Sequence, residues 1–192
     1  MIKVGRMSLK CHTYSVVSLL IFIVLGMPLA AFSLESSSEN DIKAAYLYNF
    51  AKFVEWPKTA FGSVLSPVNV CVFGDDSLSD VLDSLENKTV AGRPMVIRHD
   101  GNLSAVEGCH ILYICESEKK NLKKILADFG KKPVLTVSSV DNFAEQGGMI
   151  GFVRKGNNIR FEVNLDAVRL TGLSISSRLL KLAIIVDGHT DN

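Results

Sequence analysis

Cysteine and histidine are the residue types in this chain best suited to metal or redox chemistry. Cys109 and His110 are adjacent, and Cys115 follows a few residues later. Thiolates and imidazoles bind zinc at about 2.0–2.3 Å from the ion. On an extended strand, however, Cys109 and Cys115 would lie roughly 20 Å apart, at about 3.3 Å per residue. They could not share one ion, so the sequence predicts no metal site.

The other patterns that would indicate catalysis are absent or have a simpler explanation. Asp75 and Asp76 could form an acid–base or metal-binding pair, but acidic residues between a strand and a helix also complement the helix N-terminus. The glycine-rich residues 147–151 lead into a strand, whereas phosphate binding requires a helix N-terminus. Neither a nucleophile elbow nor a phosphate-binding loop occurs. The sequence therefore predicts no catalytic residue, no cofactor and no enzymatic activity.

The amino-terminal 33 residues have the pattern of an export signal. Lys3, Arg6 and Lys10 are the charged residues of this segment, and residues 16–32 form an uncharged, largely apolar run. Small residues then follow, and we expect cleavage after Ser33. The alternative is an uncleaved membrane anchor, which needs about 20 apolar residues. The run is shorter than that and is interrupted by glycine and proline, so the pattern favours a cleaved signal peptide over residues 1–33.

Removal of this segment changes the charge of the protein. The full chain of 192 residues carries 21 Lys and Arg against 20 Asp and Glu, a net charge of +1. Residues 34–192 keep 18 basic and 20 acidic residues, a net charge of −2. This balance argues against a nucleic-acid partner, because such proteins usually present a basic face. The 47% hydrophobic content is that of a globular protein and excludes wholesale disorder.

Predicted strands alternate with predicted helices along the chain, which indicates a single α/β domain over residues 34–192. We expect a mixed, mostly parallel sheet with helices on both faces and a β-hairpin in the C-terminal half. The predicted strands are 68–73, 89–90, 94–98, 110–115 and 133–137, with 149–154 and 158–163 as the hairpin. The predicted helices are 41–56, 77–85 with Ser77 as its cap, a helix capped by Ser117 that ends near 129, 165–171 and 176–186.

The first predicted helix is the most aromatic stretch of the chain. Tyr46, Phe50, Phe53 and Trp56 lie on it, and Pro57 ends it. One interpretation is that these rings pack into the core, as the helical spacing of the apolar residues indicates. The other is that the aromatic excess contacts a partner, since tyrosine and tryptophan are favoured anchors of protein interfaces. On the second interpretation these four residues, with the C-terminal helices, form the partner-binding surface.

An exported protein can keep disulfide bonds, and Cys71, Cys109 and Cys115 remain after cleavage. A Cys109–Cys115 bond is excluded because the two residues lie at opposite ends of one predicted strand. A Cys71–Cys109 bond is feasible if the strands that carry them are neighbours. The residues alone also leave open that all three cysteines are buried and reduced, or that Cys115 is a redox-active thiol.

Several segments, in order along the chain, resemble the YfiR family of exported regulatory proteins. The segments are IKAAYLYNFAKFVEWP at 42–57, VCVFGDD at 70–76, AGRPM at 91–95, GCHILYI at 108–114, KPVLTVSS at 132–139, GGMIGFV at 147–153, IRFEVNLDAV at 159–168 and GLSISSRLLKLA at 172–183. This resemblance implies a periplasmic α/β protein that is usually dimeric. It also implies a structural disulfide between Cys71 and Cys109. The second cysteine pair of the best-known member has no counterpart here, because residues 144–151 contain no cysteine.

The resemblance also implies a function. The best-studied members bind the periplasmic sensor domain of an inner-membrane diguanylate cyclase and repress it, which lowers cyclic-di-GMP signalling and biofilm formation. A periplasmic sensor-kinase domain is a second possible target, and an OmpA-like outer-membrane lipoprotein can sequester the repressor. The alternative function is a periplasmic small-ligand-binding module that feeds a sensor protein.

Overall fold

The computed structural model describes residues 38–100 and 108–188, which belong to one compact unit. The predicted signal peptide, residues 1–33, lies outside the described residues. No helix within the described ranges is long and apolar enough to cross a membrane.

Eight strands form one mixed sheet. They are β2 Val68–Phe73, β3 Thr89–Val90, β4 Arg93–Asp100, β5 Ile111–Ile114, β6 Leu135–Ser138, β7 Ile150–Lys155, β8 Asn158–Asn164 and β10 Ile184–Val186. Their order across the sheet is β10-β8-β7-β6-β5-β2-β4-β3. Strands β2, β4, β5, β6 and β7 run parallel to one another, whereas β8 pairs antiparallel with β7, and β3 antiparallel with β4. The single α/β domain, its mostly parallel sheet and its hairpin are therefore confirmed. A separate antiparallel pair joins β1 Val54–Glu55 to β9 Ser174–Ile175.

Helices cover both faces of the sheet. They are α1 Glu39–Phe53, α2 Ser79–Leu82, α3 Leu122–Phe129, α4 Leu165–Arg169 and α5 Ser177–Leu180. The longest, α1, begins with a capping box, in which the Ser38 hydroxyl accepts from the Asp41 N–H and the Asp41 carboxylate accepts from the Ser38 N–H. Helices α1 and α2 pack on one face, and α3 packs on the other.

Alternation along β2 produces the two cores. Val68, Val70 and Val72 pack beneath α1 and α2, whereas Cys71 and Phe73 pack beneath α3. All five side chains are buried. This strand is therefore apolar on both faces, as expected of a central strand in a parallel sheet.

The structure corrects several predicted boundaries. The first helix ends at Phe53, and Val54–Glu55 leaves it to pair with Ser174–Ile175. The predicted helix 176–186 is helical only over Ser177–Leu180, and Ile184–Val186 instead forms a strand on the edge of the sheet. Its isoleucine and valine residues fit a pleated edge better than a helix.

Two predicted helix caps are also wrong. Asp76, rather than Ser77, accepts hydrogen bonds from the N–H groups of Leu78 and Ser79 at 2.9 and 3.1 Å. The Ser117 hydroxyl instead accepts from the Asp75 N–H at 2.9 Å. Both changes place polar side chains where the carboxyl ends of β2 and β5 meet.

A disulfide joins Cys71 of β2 to Cys109, which comes just before β5. The two strands are neighbours, and the Cα atoms of the two cysteines lie 5.9 Å apart. Both cysteines are buried beneath α3. The bond closes a segment of 38 residues that includes α2, β3 and β4.

We predict that loss of this disulfide destabilises the domain by about 4 kcal/mol, because the unfolded chain regains the entropy of a long loop. The measurement is urea unfolding of residues 34–192 with and without dithiothreitol. Dithiothreitol should lower the unfolding free energy of the wild type and leave the Cys71→Ser/Cys109→Ser variant unchanged. Cys115→Ala is the matched control and should keep its sensitivity to the reductant. A wild type that is equally stable in both conditions would show that the bond contributes nothing.

Candidate partner-binding surface

The aromatic residues of α1 divide into buried and accessible ones. The Phe50 ring is fully buried, 5.0 Å from Phe161 and 5.8 Å from Phe152. Tyr46 is half-buried, lies 5.1 Å from Phe161, and donates its hydroxyl to the Ile159 carbonyl at 3.4 Å. The Phe50 ring is enclosed between α1 and the hairpin strands, so its position fits the core-packing interpretation rather than a partner contact.

Phe53 is the last residue of α1 and Trp56 follows β1, and both keep part of their surface exposed. The Phe53 carbonyl accepts from the Ser176 N–H at 2.9 Å, which fixes the end of the helix against α5. The Trp56 ring donates its Nε1–H to the His110 carbonyl at 3.2 Å. These two rings, with Tyr46, remain accessible to a partner.

Trp56 belongs to an aromatic cluster built around His110. The His110 ring stacks on Phe61 with 4.2 Å between ring centroids, and Trp56 contacts both rings edge-on. His110 Nδ1 accepts from the Asn69 N–H at 3.0 Å, and Nε2 lies 3.1 Å from the Ala60 carbonyl. Because a carbonyl only accepts, the proton is on Nε2, and the imidazole is neutral. Burial lowers the pKa of His110, which is consistent with this neutral form.

This cluster supports a tight turn over residues 63–66. The Ser63 carbonyl accepts from the Ser66 N–H at 3.2 Å, and the Ser66 hydroxyl accepts from the Ser63 N–H at 2.9 Å. Arg93 donates to the carbonyls of Ser63 and Ser66 at 2.9 and 2.6 Å while its guanidinium lies 4.0 Å above the Phe61 ring. We call residues 63–66 the apical turn.

The apical turn presents two aliphatic side chains to solvent. Val64 is 85% exposed and Leu65 is 81% exposed. Other exposed aliphatic residues, Leu170, Leu182 and Ile185, lie in or near the C-terminal elements. The apical turn could not be predicted from the sequence, because the residue types valine and leucine do not indicate that their side chains are exposed. The one available signal was the placement of the pair between serines, which favour turns.

Polar side chains meet at the carboxyl ends of β2 and β5. The chain that follows β2 passes to one face of the sheet, and the chain that follows β5 passes to the other. The Asp76 carboxylate accepts from the Tyr113 hydroxyl at 2.8 Å, in addition to its contacts with the N-terminus of α2. Gly74 has φ +91°, and a Cβ there would lie 2.5 Å from the Ser117 hydroxyl. Asp76 thus caps a helix and anchors a buried tyrosine. The helix-terminus interpretation of this acidic residue is correct.

Cys115 is buried beside this network, and its pKa is raised by burial and by the nearby Asp76. Reactive thiols are partly exposed and have lowered pKa values. The environment of Cys115 is the opposite, which argues against the redox-active hypothesis. Within the described ranges, no group of three His, Cys, Asp or Glu residues is placed to hold a metal ion.

The neutral state of His110 predicts a pH dependence of stability. Because its folded pKa lies below the ordinary 6.5, the unfolded state binds the proton more tightly. The stabilisation by neutral His110 is complete above pH 6.5 and is lost as the pH falls through the folded pKa. The melting temperature of the wild type should therefore exceed that of His110→Gln at pH 7, and this difference should shrink as the pH is lowered to 5.5.

His99→Gln is the control, because His99 is exposed and pairs with Asp83 on the surface. Burial raises the pKa of Glu162, so its titration changes the free energy of unfolding in the direction opposite to that of His110. Because Glu162 is present in the wild type and in both variants, the difference between the proteins reports on the histidine alone. A constant difference between wild type and His110→Gln over this range would contradict a buried, neutral imidazole.

Comparison of the sequence with models of known protein families identifies the family of this chain. The YfiR/HmsC-like model matches residues 40–184, from the first turn of α1 to the start of β10. The match includes both cores, the disulfide, the apical turn and the hairpin. The chain therefore belongs to the YfiR/HmsC-like family.

Proposed function

We propose that the mature chain is a non-enzymatic periplasmic regulator that binds the periplasmic sensor domain of an inner-membrane diguanylate cyclase and lowers cyclic-di-GMP synthesis. The observation that carries this proposal is the family match over residues 40–184. A buried disulfide supports it further, since such bonds persist in oxidising compartments such as the periplasm.

A regulator of this kind acts by binding one state of its target more tightly than another. It therefore needs a surface that keeps its shape before binding, because ordering a flexible loop costs affinity. The apical turn has this property, since Arg93 and the cluster of Trp56, Phe61 and His110 hold it in place.

The exposed side chains of the turn are suited to a protein partner. An exposed valine or leucine forgoes about 1.5–3 kcal/mol of hydrophobic stabilisation, which binding can recover. We propose that Val64 and Leu65 insert into an apolar pocket of the cyclase sensor domain. The accessible aromatic residues Tyr46 and Phe53 of α1, and Trp56 just after β1, would extend this contact.

Three further features belong to the same proposal. The family resemblance implies a homodimeric state and sequestration by an OmpA-like outer-membrane lipoprotein, and a sensor-kinase domain is the alternative to a cyclase as the target. Each requires a protein surface.

The proposal predicts a binding defect in turn variants. Purified residues 34–192 should bind the periplasmic domain of a diguanylate cyclase from the same organism, measured by isothermal titration calorimetry. Val64→Asp/Leu65→Asp should weaken binding at least about tenfold, because each buried aliphatic side chain contributes more than a kcal/mol. The variant should melt close to the wild type, since both side chains are exposed in the free protein.

Ala127→Asp is the control, because Ala127 is exposed on α3, which packs on the face of the sheet opposite to α1. It should bind like the wild type. A folded turn variant with wild-type affinity would remove the apical turn from the interface. Absence of binding by the wild type to any cyclase or sensor-kinase domain would remove the proposed function itself.

A further inference from the structure

A second feature of the molecule lies at the opposite end of the sheet from the apical turn. Strand β7 pairs with β6 only at Ile150 and Gly151, and its remaining residues extend beyond the end of β6. The extension leaves an open cavity of about 360 Å³ between the hairpin and the loops that follow β5 and β6. We call this cavity the hairpin crevice. Its volume is in the range of sites for small molecules.

Glu162 of β8 lines this crevice and is only 8% exposed. Within residues 38–100 and 108–188 its carboxylate makes no hydrogen bond and no ion pair. Lys155 is the nearby cation and Glu145 a nearby anion, neither of them in direct contact with it. A buried carboxylate is costly unless it is paired or hydrogen-bonded. Glu162 therefore lacks the donor that such a group normally has.

Most of the other charged side chains of the crevice are already engaged. Lys43 lies 2.8 Å from Glu39, and Arg154 also pairs with Glu39. Asp141 lies 3.7 Å from Lys119. Glu39 thus holds two of the three cations of the lining, and the third, Lys155, does not contact Glu162, whose carboxylate faces the cavity unpaired.

This arrangement restricts the chemistry of a ligand. The lining carries four carboxylates and three cations, and two of these cations are already paired with Glu39, so an anion is disfavoured there. A metal ion would need further ligands, and no group of three metal-binding side chains is present among the described residues. A protonated amine supplies both the positive charge and the N–H donors that a carboxylate requires. Phe152, Val153 and Ile159 add an apolar wall for the body of such a molecule.

We infer that the hairpin crevice binds a small organic ammonium compound, with its amine on the Glu162 carboxylate and its apolar body against Phe152 and Ile159. This site is independent of the proposed protein partner, because the crevice lies at the carboxyl ends of β5 and β6, whereas the apical turn precedes β2. It assigns a ligand class and a residue to the small-ligand alternative that the sequence suggested.

The test uses three probes of similar shape on the full mature chain. Butylammonium is cationic, butanol is neutral, and butyrate is anionic. Titration of ¹⁵N-labelled residues 34–192, followed by NMR, should show saturable shifts in the hairpin amides with butylammonium alone. Glu162→Gln should weaken butylammonium binding at least about tenfold, since it removes a charge-assisted hydrogen bond. Glu145→Gln, an exposed carboxylate outside the crevice lining, is the matched control and should keep wild-type affinity.

A measurement on the wild type keeps the inference testable even if Glu162→Gln fails to fold. The ¹³C shift of the Glu162 carboxyl reports its titration, and bound butylammonium should lower the pKa of this group. Absence of saturable binding, equal binding of butyrate, or an unchanged titration of Glu162 would each overturn the inference. Undiminished binding to folded Glu162→Gln would also overturn it.

Discussion

The burial of β2 on both faces determines how the helices are arranged around the sheet. Val70 and Val72 must be covered by α1 and α2, and Cys71 must be covered by α3. Helices are therefore required on both sides of the sheet, and the chain must change sides where β2 and β5 end. The disulfide joins Cys71 of β2 to Cys109, just before β5, and lies beneath α3. The apical turn lies before β2, and the hairpin crevice lies beyond the carboxyl ends of β5 and β6.

Much of this architecture could be predicted from the sequence because it follows from local patterns. The apolar run of β2 and the glycine-containing turn of the hairpin specify their own conformations. The Val54–Glu55 and Ile184–Val186 strands could not be predicted, because each is a strand only through its distant partner. A two- or three-residue pairing has no periodicity of its own, and tertiary contacts override the adjoining helical pattern.

The functional surface was harder to predict than the fold for a related reason. Aromatic content identified α1, but the same ring type is buried at Phe50 and partly exposed at Phe53, depending on which side of the helix faces the hairpin. The exposure of Leu65 depends on Arg93, which holds the turn. The absence of a hydrogen-bond donor near the Glu162 carboxylate depends on its pairing with Gly151 in the neighbouring strand. The cysteine pair could be inferred because a family resemblance supplied the pairing that the residues alone left open.

We propose that this chain acts outside the cytoplasm to lower cyclic-di-GMP synthesis. The most direct measurement is the cellular cyclic-di-GMP concentration in cells that lack the chain, quantified by mass spectrometry. We predict that the concentration rises, that the full chain restores it, and that a chain without residues 1–33 does not. An unchanged concentration in cells that lack the protein, under conditions in which the wild type produces it, would show that the chain does not lower cyclic-di-GMP synthesis.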